Sequence, residues 1–166
     1  MKRSLPSTAA FSLVEVTFAI GVMSLALIVL MGMLPAGLKT QQSSSQQTTA
    51  NRIMATIFAD LRADIRLPPG LQAQSQEGLM GLGLHGHWAA VSTPDTLYFT
   101  NEGKQTGSAN PGSPPADAAF RAKITYLFPP TQSTSIADII VSWPAAVDPT
   151  TGTPAGKVET FIAVNR

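Results

Sequence analysis

His85 and His87 are the chain's two imidazoles, set two positions apart beside Trp88 in a glycine-rich stretch. On an extended backbone alternate residues share a face, so the pair has the spacing of two metal ligands. A third ligand would have to come from Glu77 or Asp95 through folding, since the chain has no cysteine to supply a thiolate. The blander reading, two polar residues of an exposed glycine loop, is preferred. Gly81, Gly83 and Gly86 fit the spacing of a dinucleotide fingerprint, but that motif works only between a strand and a helix that aim amides at a pyrophosphate. Gln, Ser and Glu precede it, and Pro94 arrives too early for a helix. Asp148 with Thr150 and Thr151 has oxygens for calcium but lacks the alternating carboxylates of a dedicated loop. Serines abound, yet none sits in a strand-turn-helix elbow. The expectation is a protein that is not an enzyme, with no catalytic residue, no metal and no cofactor.

Glu15 is notable for the opposite reason: its surroundings are wrong for a charge. From Phe11 to Leu34 it is the one ionisable residue, and after it none occurs until Lys39. As a helix these 24 residues would extend roughly 36 Å, enough for a hydrocarbon core of about 30 Å. Lys2 and Arg3 on the N-terminal side place that end in the cytoplasm and the remainder outside.

Three readings of this segment compete. A cleavable secretory signal has a shorter apolar region, and the one candidate site, Leu34-Pro35-Ala36, puts leucine where a small residue belongs. A plain membrane anchor leaves Glu15 as an unexplained cost of about 2.5–3.5 kcal/mol, less near an interface. The third reading explains the carboxylate. If the chain is cut between Ala10 and Phe11, Phe11 gains a free amine one helical turn from Glu15. Both groups then share a helix end whose unsatisfied amides and dipole favour the carboxylate. Between neighbouring helices, Glu15 facing the Phe11 amine would attract by about 4 kcal/mol at 4 Å and an effective dielectric of 20.

The run Ala10-Phe11-Ser12-Leu13-Val14-Glu15-Val16, behind a short basic leader and ahead of a long apolar stretch, resembles the processing site of type IV prepilins and type II secretion pseudopilins. That resemblance implies cleavage before Phe11 by a prepilin peptidase, methylation of the Phe11 amine, and an assembly role for Glu15. It implies as partners the inner membrane and other pilin or pseudopilin subunits. Ala10 stands where the family prefers glycine, and Gly32 stands where major pilins often carry proline, with Pro35 three residues later. This favours a minor pilin or pseudopilin. The stretches MLPAGLKTQQ, IFADLR and YFTNEG further resemble the pilin-like B protein of the Verru_Chthon gene cassette. The implied location is the inner membrane, single-pass, with a periplasmic C-terminal domain that can end in a filament. The competing function is a membrane-anchored periplasmic binding module that never polymerises.

The elements that must carry these residues divide the chain into a leader (1–10), a transmembrane and assembly helix (11–36), a polar then amphipathic segment (37–67) and a β-rich domain (68–166). Residues 37–50, rich in Gln, Ser and Thr, suit either a linker or a polar helical continuation. Ile53, Ile57, Leu61 and Ile65 recur every four residues, with Met54 and Phe58 alongside, as in an amphipathic helix. Asp60, Arg62, Asp64 and Arg66 fall mostly elsewhere, and Pro68-Pro69-Gly70 ends the pattern. Strands are expected at 96–100, 121–128, 136–143 and 157–164, with a turn at 101–104. Two Gly/Pro-rich loops, 107–116 and 144–156, should lie on the surface. The fold class is α+β: a long N-terminal helix packed on a small antiparallel sheet of about four strands. The net charge is +1 with 13% charged residues, and no basic cluster supplies the field that nucleic-acid binding needs. Removal of the leader takes two of the eleven bases and leaves all ten acids, so no strong field emerges then either.

Overall fold

A computed structural model describes residues 11–63, 80–85, 92–127 and 134–165. The leader with Ala10, the Pro68-Pro69-Gly70 stop, and Glu77, Gly86, His87 and Trp88 lie outside the described residues. The chain divides into two compact units, residues 1–42 and 43–166.

One helix, α1, spans Leu13–Ala63, so the polar stretch 37–50 is a helical continuation and not a linker. Within the first unit the helix is apolar on every side and exposed, from Phe11 through Leu38. That is the character of a helix solvated by hydrocarbon. Its hydroxyls fit the same environment: Thr17 donates to the Val14 carbonyl at 2.9 Å and Ser24 to the Ile20 carbonyl at 2.7 Å. Each O–H is thus satisfied by its own helix. Pro35 lies inside the helix, where it removes one backbone donor. The helix is long and apolar enough to cross a membrane once.

In the second unit, the remainder of α1 buries Ala50, Ile53, Met54, Ile57 and Leu61, whose three- and four-residue offsets from one turn to the next line one face. They share a core with Leu82, Leu84 and the inner face of the sheet. Asp60, expected on the polar side, is fully buried. Its carboxylate accepts the Met80 amide at 2.7 Å, which is how a buried charge on this face is tolerated.

Among the described residues the sheet has five antiparallel strands, one more than expected: β1 Asp95–Phe99, β2 Gln105–Thr106, β3 Phe120–Leu127, β4 Thr134–Trp143 and β5 Gly156–Asn165, in the order β2-β1-β3-β4-β5. Register follows the alternation of apolar residues. Leu97 faces Ala122, Ile124 faces Ile139, Ala137 faces Ile162 and Val141 faces Val158, giving one inner face that packs on α1. Trp143 lies opposite Gly156, where any Cβ would collide with the indole ring, and it stacks edge-on with Phe120 at 5.8 Å. Between β1 and β2 the expected turn forms. Gly103 adopts φ +75 and its amide donates to the Thr100 carbonyl at 2.9 Å, a left-handed conformation that glycine takes without strain. Arg52 of α1 donates to the Glu102 carbonyl, fastening this turn to the helix.

Candidate functional site

The helix begins immediately after Phe11 and Ser12, and two reciprocal hydrogen bonds close its first turn. Ser12 Oγ accepts the Glu15 amide at 3.2 Å, and Glu15 Oε2 accepts the Ser12 amide at 3.0 Å. This is a capping box, in which Ser at the cap and Glu three residues on satisfy two of the amides that a helix start leaves unpaired. Glu15 therefore has a local partner, while its negative charge sits at the positive end of the helix dipole. Phe11 precedes it as an 84% exposed side chain. The Ser-x-x-Glu signature is written in the sequence. It escapes a reading that treats residue 15 only as a charge, and Ser12 is the residue missed.

His85 is placed differently from a residue of an exposed loop. His85 is mostly buried, and its Nδ1 lies 2.6 Å from Asp95 Oδ1. Asp95 is fully buried at the start of β1. It also accepts the His85 amide at 2.9 Å, Asn110 Nδ2 at 2.8 Å and the Tyr126 hydroxyl at 2.9 Å. The His85 and Tyr126 rings meet edge to face at 5.0 Å. Four donors converge on one carboxylate, as a buried charge requires. Asp95 is thereby spent on holding the imidazole and two chain segments to β1, and it is not disposed as a third metal ligand beside His85. No cluster of three or more potential metal ligands occurs among the described residues. Of the fingerprint glycines, Gly81 and Gly83 have φ of +68 and +70, in a segment of turn and irregular backbone.

Around Asp148 the calcium reading meets a physical obstacle. Its carboxylate accepts the Thr150 hydroxyl at 2.6 Å and the Thr150 amide at 2.9 Å, with Arg121 Nη1 at 3.4 Å and Lys123 Nζ at 3.9 Å. Two cations already neutralise it, and a divalent ion would have to displace them. These Thr150 hydrogen bonds, with help from Arg121 and Lys123, hold the Asp148 carboxyl below its ordinary value. Asp138, on the outer face of β4, is shifted the other way by burial and by the Glu159 carboxylate, with Lys157 opposing. These groups fasten the loop after β4 to β3 and arrange charge on the outer face.

What the fold and these sites define is an α+β protein with one helix long and apolar enough to serve as a single-pass anchor, its capped end carrying one carboxylate. This architecture is compatible with a pilin-like fold. The chain matches no protein-family model, no curated protein and no solved structure.

Proposed function

We propose that the chain is a minor pilin-like or pseudopilin-like subunit, anchored in the inner membrane by the apolar part of α1 and joined through that helix to related subunits. On this reading a prepilin peptidase cuts before Phe11, the new amine is methylated, and residues 43–166 stand on the periplasmic side without enzymatic activity. The observation that carries it is Glu15, a charge at the capped start of a helix whose next twenty-odd residues are apolar and exposed on all sides. N-terminal mass spectrometry of the protein from cells with and without a prepilin peptidase tests it directly. A mature chain beginning at Phe11 only when the peptidase is present is the expected result. An intact leader in both, or a chain beginning at Gly37, refutes it.

A second reading, a membrane-anchored module that does not polymerise, draws on the capping box itself. A Glu15 already satisfied by Ser12 needs no neighbour's amine to explain its presence. The two readings part at the charge of Glu15, since a cap requires only an acceptor oxygen.

A further inference from the structure

On the outer face of the sheet two buried polar atoms stand near one another with nothing to bond. Arg121 of β3 lies opposite Ser142 of β4, and neither Arg121 Nε nor Ser142 Oγ has a hydrogen-bond partner or contact with solvent. Ser142 is fully buried, and the Arg121 side chain is 16% exposed. The guanidinium lies over the buried Tyr98 ring at 5.5 Å, which offers it a π face but no lone pair. Its charge is met at Nη1 by Asp148 Oδ2 at 3.4 Å, well beyond the roughly 2.7–2.9 Å of a charge-assisted hydrogen bond. Asp148 arrives from the loop after β4, residues 144–155, and lies outside the cations it covers: its side chain is 29% exposed, against 16% for Arg121 and 17% for Lys123. The root of this strap is firm, with the Ala145 amide donating to the Ala119 carbonyl at 3.0 Å. Among the described residues its tip is held through the two cations, Asp148 by both and Thr150 by a hydrogen bond from Lys123 Nζ at 3.2 Å. Lys157, opposite Ser142, is paired with Glu159 at 2.8 Å, so Asp148 serves Arg121 and Lys123 with a single carboxylate.

From this arrangement we infer that Arg121, Ser142 and Lys123 form a carboxylate-binding site, closed in this structure by Asp148 as an internal stand-in. Buried polar atoms are paired in the great majority of cases, and two unpaired neighbours of this kind are complemented by one acceptor group. The present occupant names its class. An incoming group must compete with a carboxylate for two cations, which restricts it to an anion. The unused edge of the guanidinium, Nε with one Nη, matches a planar carboxylate in two parallel hydrogen bonds, and the Ser142 hydroxyl is a third donor beside that edge. Asp148 approaches Nη1 alone and at long range, so an outside carboxylate seated on both nitrogens would satisfy what the strap leaves unpaired. Its arrival would also release the strap, because the cations that hold Asp148 also hold Thr150, while the root at Ala145 stays in place. Closure by Asp148 and occupancy from outside therefore exclude one another. This inference does not rest on the proposed function.

The test follows the Arg121 Nε–H resonance by NMR in the full chain in uncharged detergent micelles, as succinate is added at constant ionic strength. Phosphate and chloride are titrated in parallel. A short peptide with one aspartate among glycines and serines, and its asparagine counterpart, ask whether a polypeptide can supply the carboxylate. The expected result is a saturable shift with succinate or the aspartate peptide and none with chloride or the asparagine peptide. In Asp148→Asn, where the competing occupant has lost its charge, apparent binding should be about tenfold tighter. Ser142→Ala should weaken binding about tenfold without a fall in melting temperature. Saturation by the aspartate peptide at lower concentration than succinate assigns the site to an acidic residue of a partner chain, and the reverse assigns it to a free carboxylate; either supports the site. The absence of a saturable shift in Asp148→Asn overturns it, as does an equal response to chloride or the asparagine peptide, or binding indifferent to Ser142→Ala. Tighter binding of phosphate than of either carboxylate overturns the assigned ligand class. None of these readouts depends on leader cleavage or filament assembly, so they fail or succeed separately from the proposed function.

Discussion

Substituting Glu15 by glutamine separates two jobs that the wild-type residue combines. In the structure Glu15 accepts the Ser12 amide while Ser12 accepts the Glu15 amide, and glutamine retains an acceptor oxygen at the same reach, as capping boxes allow. What it loses is the charge. Loss of the charge–dipole term at a helix start costs about 0.3–1 kcal/mol, so insertion and helix content should change little. An ion pair between Glu15 and a neighbour's Phe11 amine is a larger quantity, about 4 kcal/mol at 4 Å and an effective dielectric of 20, or nearly three orders of magnitude in an association constant. The complementary variant, Ser12→Ala, removes the cap at about 0.5–2 kcal/mol and keeps the charge. The assay is co-purification with partner subunits from membranes, alongside protease protection of the inserted chain. Glu15→Gln should reduce co-purification at least about a hundredfold with insertion intact, while Ser12→Ala should leave co-purification near wild type. If the glutamine variant assembles normally and the alanine variant does not, the charge-pairing argument is wrong and the residue serves as a cap.

Other perturbations test the second unit. Asp95→Ala removes the buried carboxylate to which the Tyr126 hydroxyl, Asn110 and the His85 amide donate, and should lower stability by about 3 kcal/mol or more, read by chemical denaturation. Gly156→Ala drives a methyl into the Trp143 ring and should cost about 1–3 kcal/mol with a shift in tryptophan fluorescence. Because the Asp148 carboxyl is held below its unfolded value, its stabilising effect is complete above that unfolded value and is lost as pH falls through it toward the folded one. Asp148→Asn should therefore flatten the fall in melting temperature on acidification. Asp138, raised by burial and Glu159, acts in reverse. It favours folding at low pH and loses that effect as pH rises, so Asp138→Asn should raise the melting temperature at neutral pH.

The longer strands were legible because alternation is a local property. Lys123, Thr125 and Leu127 alternate with Ile124 and Tyr126, and the burial of β3 repeats that pattern. The two-residue β2 has no room to alternate and is defined by its partner, with Thr106 opposite Tyr98. Residues 37–50 were ambiguous since serine, threonine and glutamine suit both linkers and exposed helix. The unbroken helical span of α1 through them decides between the two, with Thr40 and Thr48 bonding back to their own helix. Asp60 and His85 were misplaced for a common reason: a polar residue reads as exposed until a distant partner is known. Asp60 finds the Met80 amide twenty residues away, and His85 finds Asp95. No periodicity carries that information.

Asp95 also bears on how β1 finds its place. Leu97 and Phe99 face the core, and a slip of one residue against β3 would expose them, so the apolar pattern alone excludes it. A slip of two residues keeps every side chain on its face, and hydrophobicity barely distinguishes it. It would, however, carry Asp95 about 7 Å along the strand, out of reach of the Tyr126 hydroxyl and into an apolar interior with its charge uncompensated. The carboxylate thus acts as a register pin, making the nearest-looking misfold of the sheet the costly one.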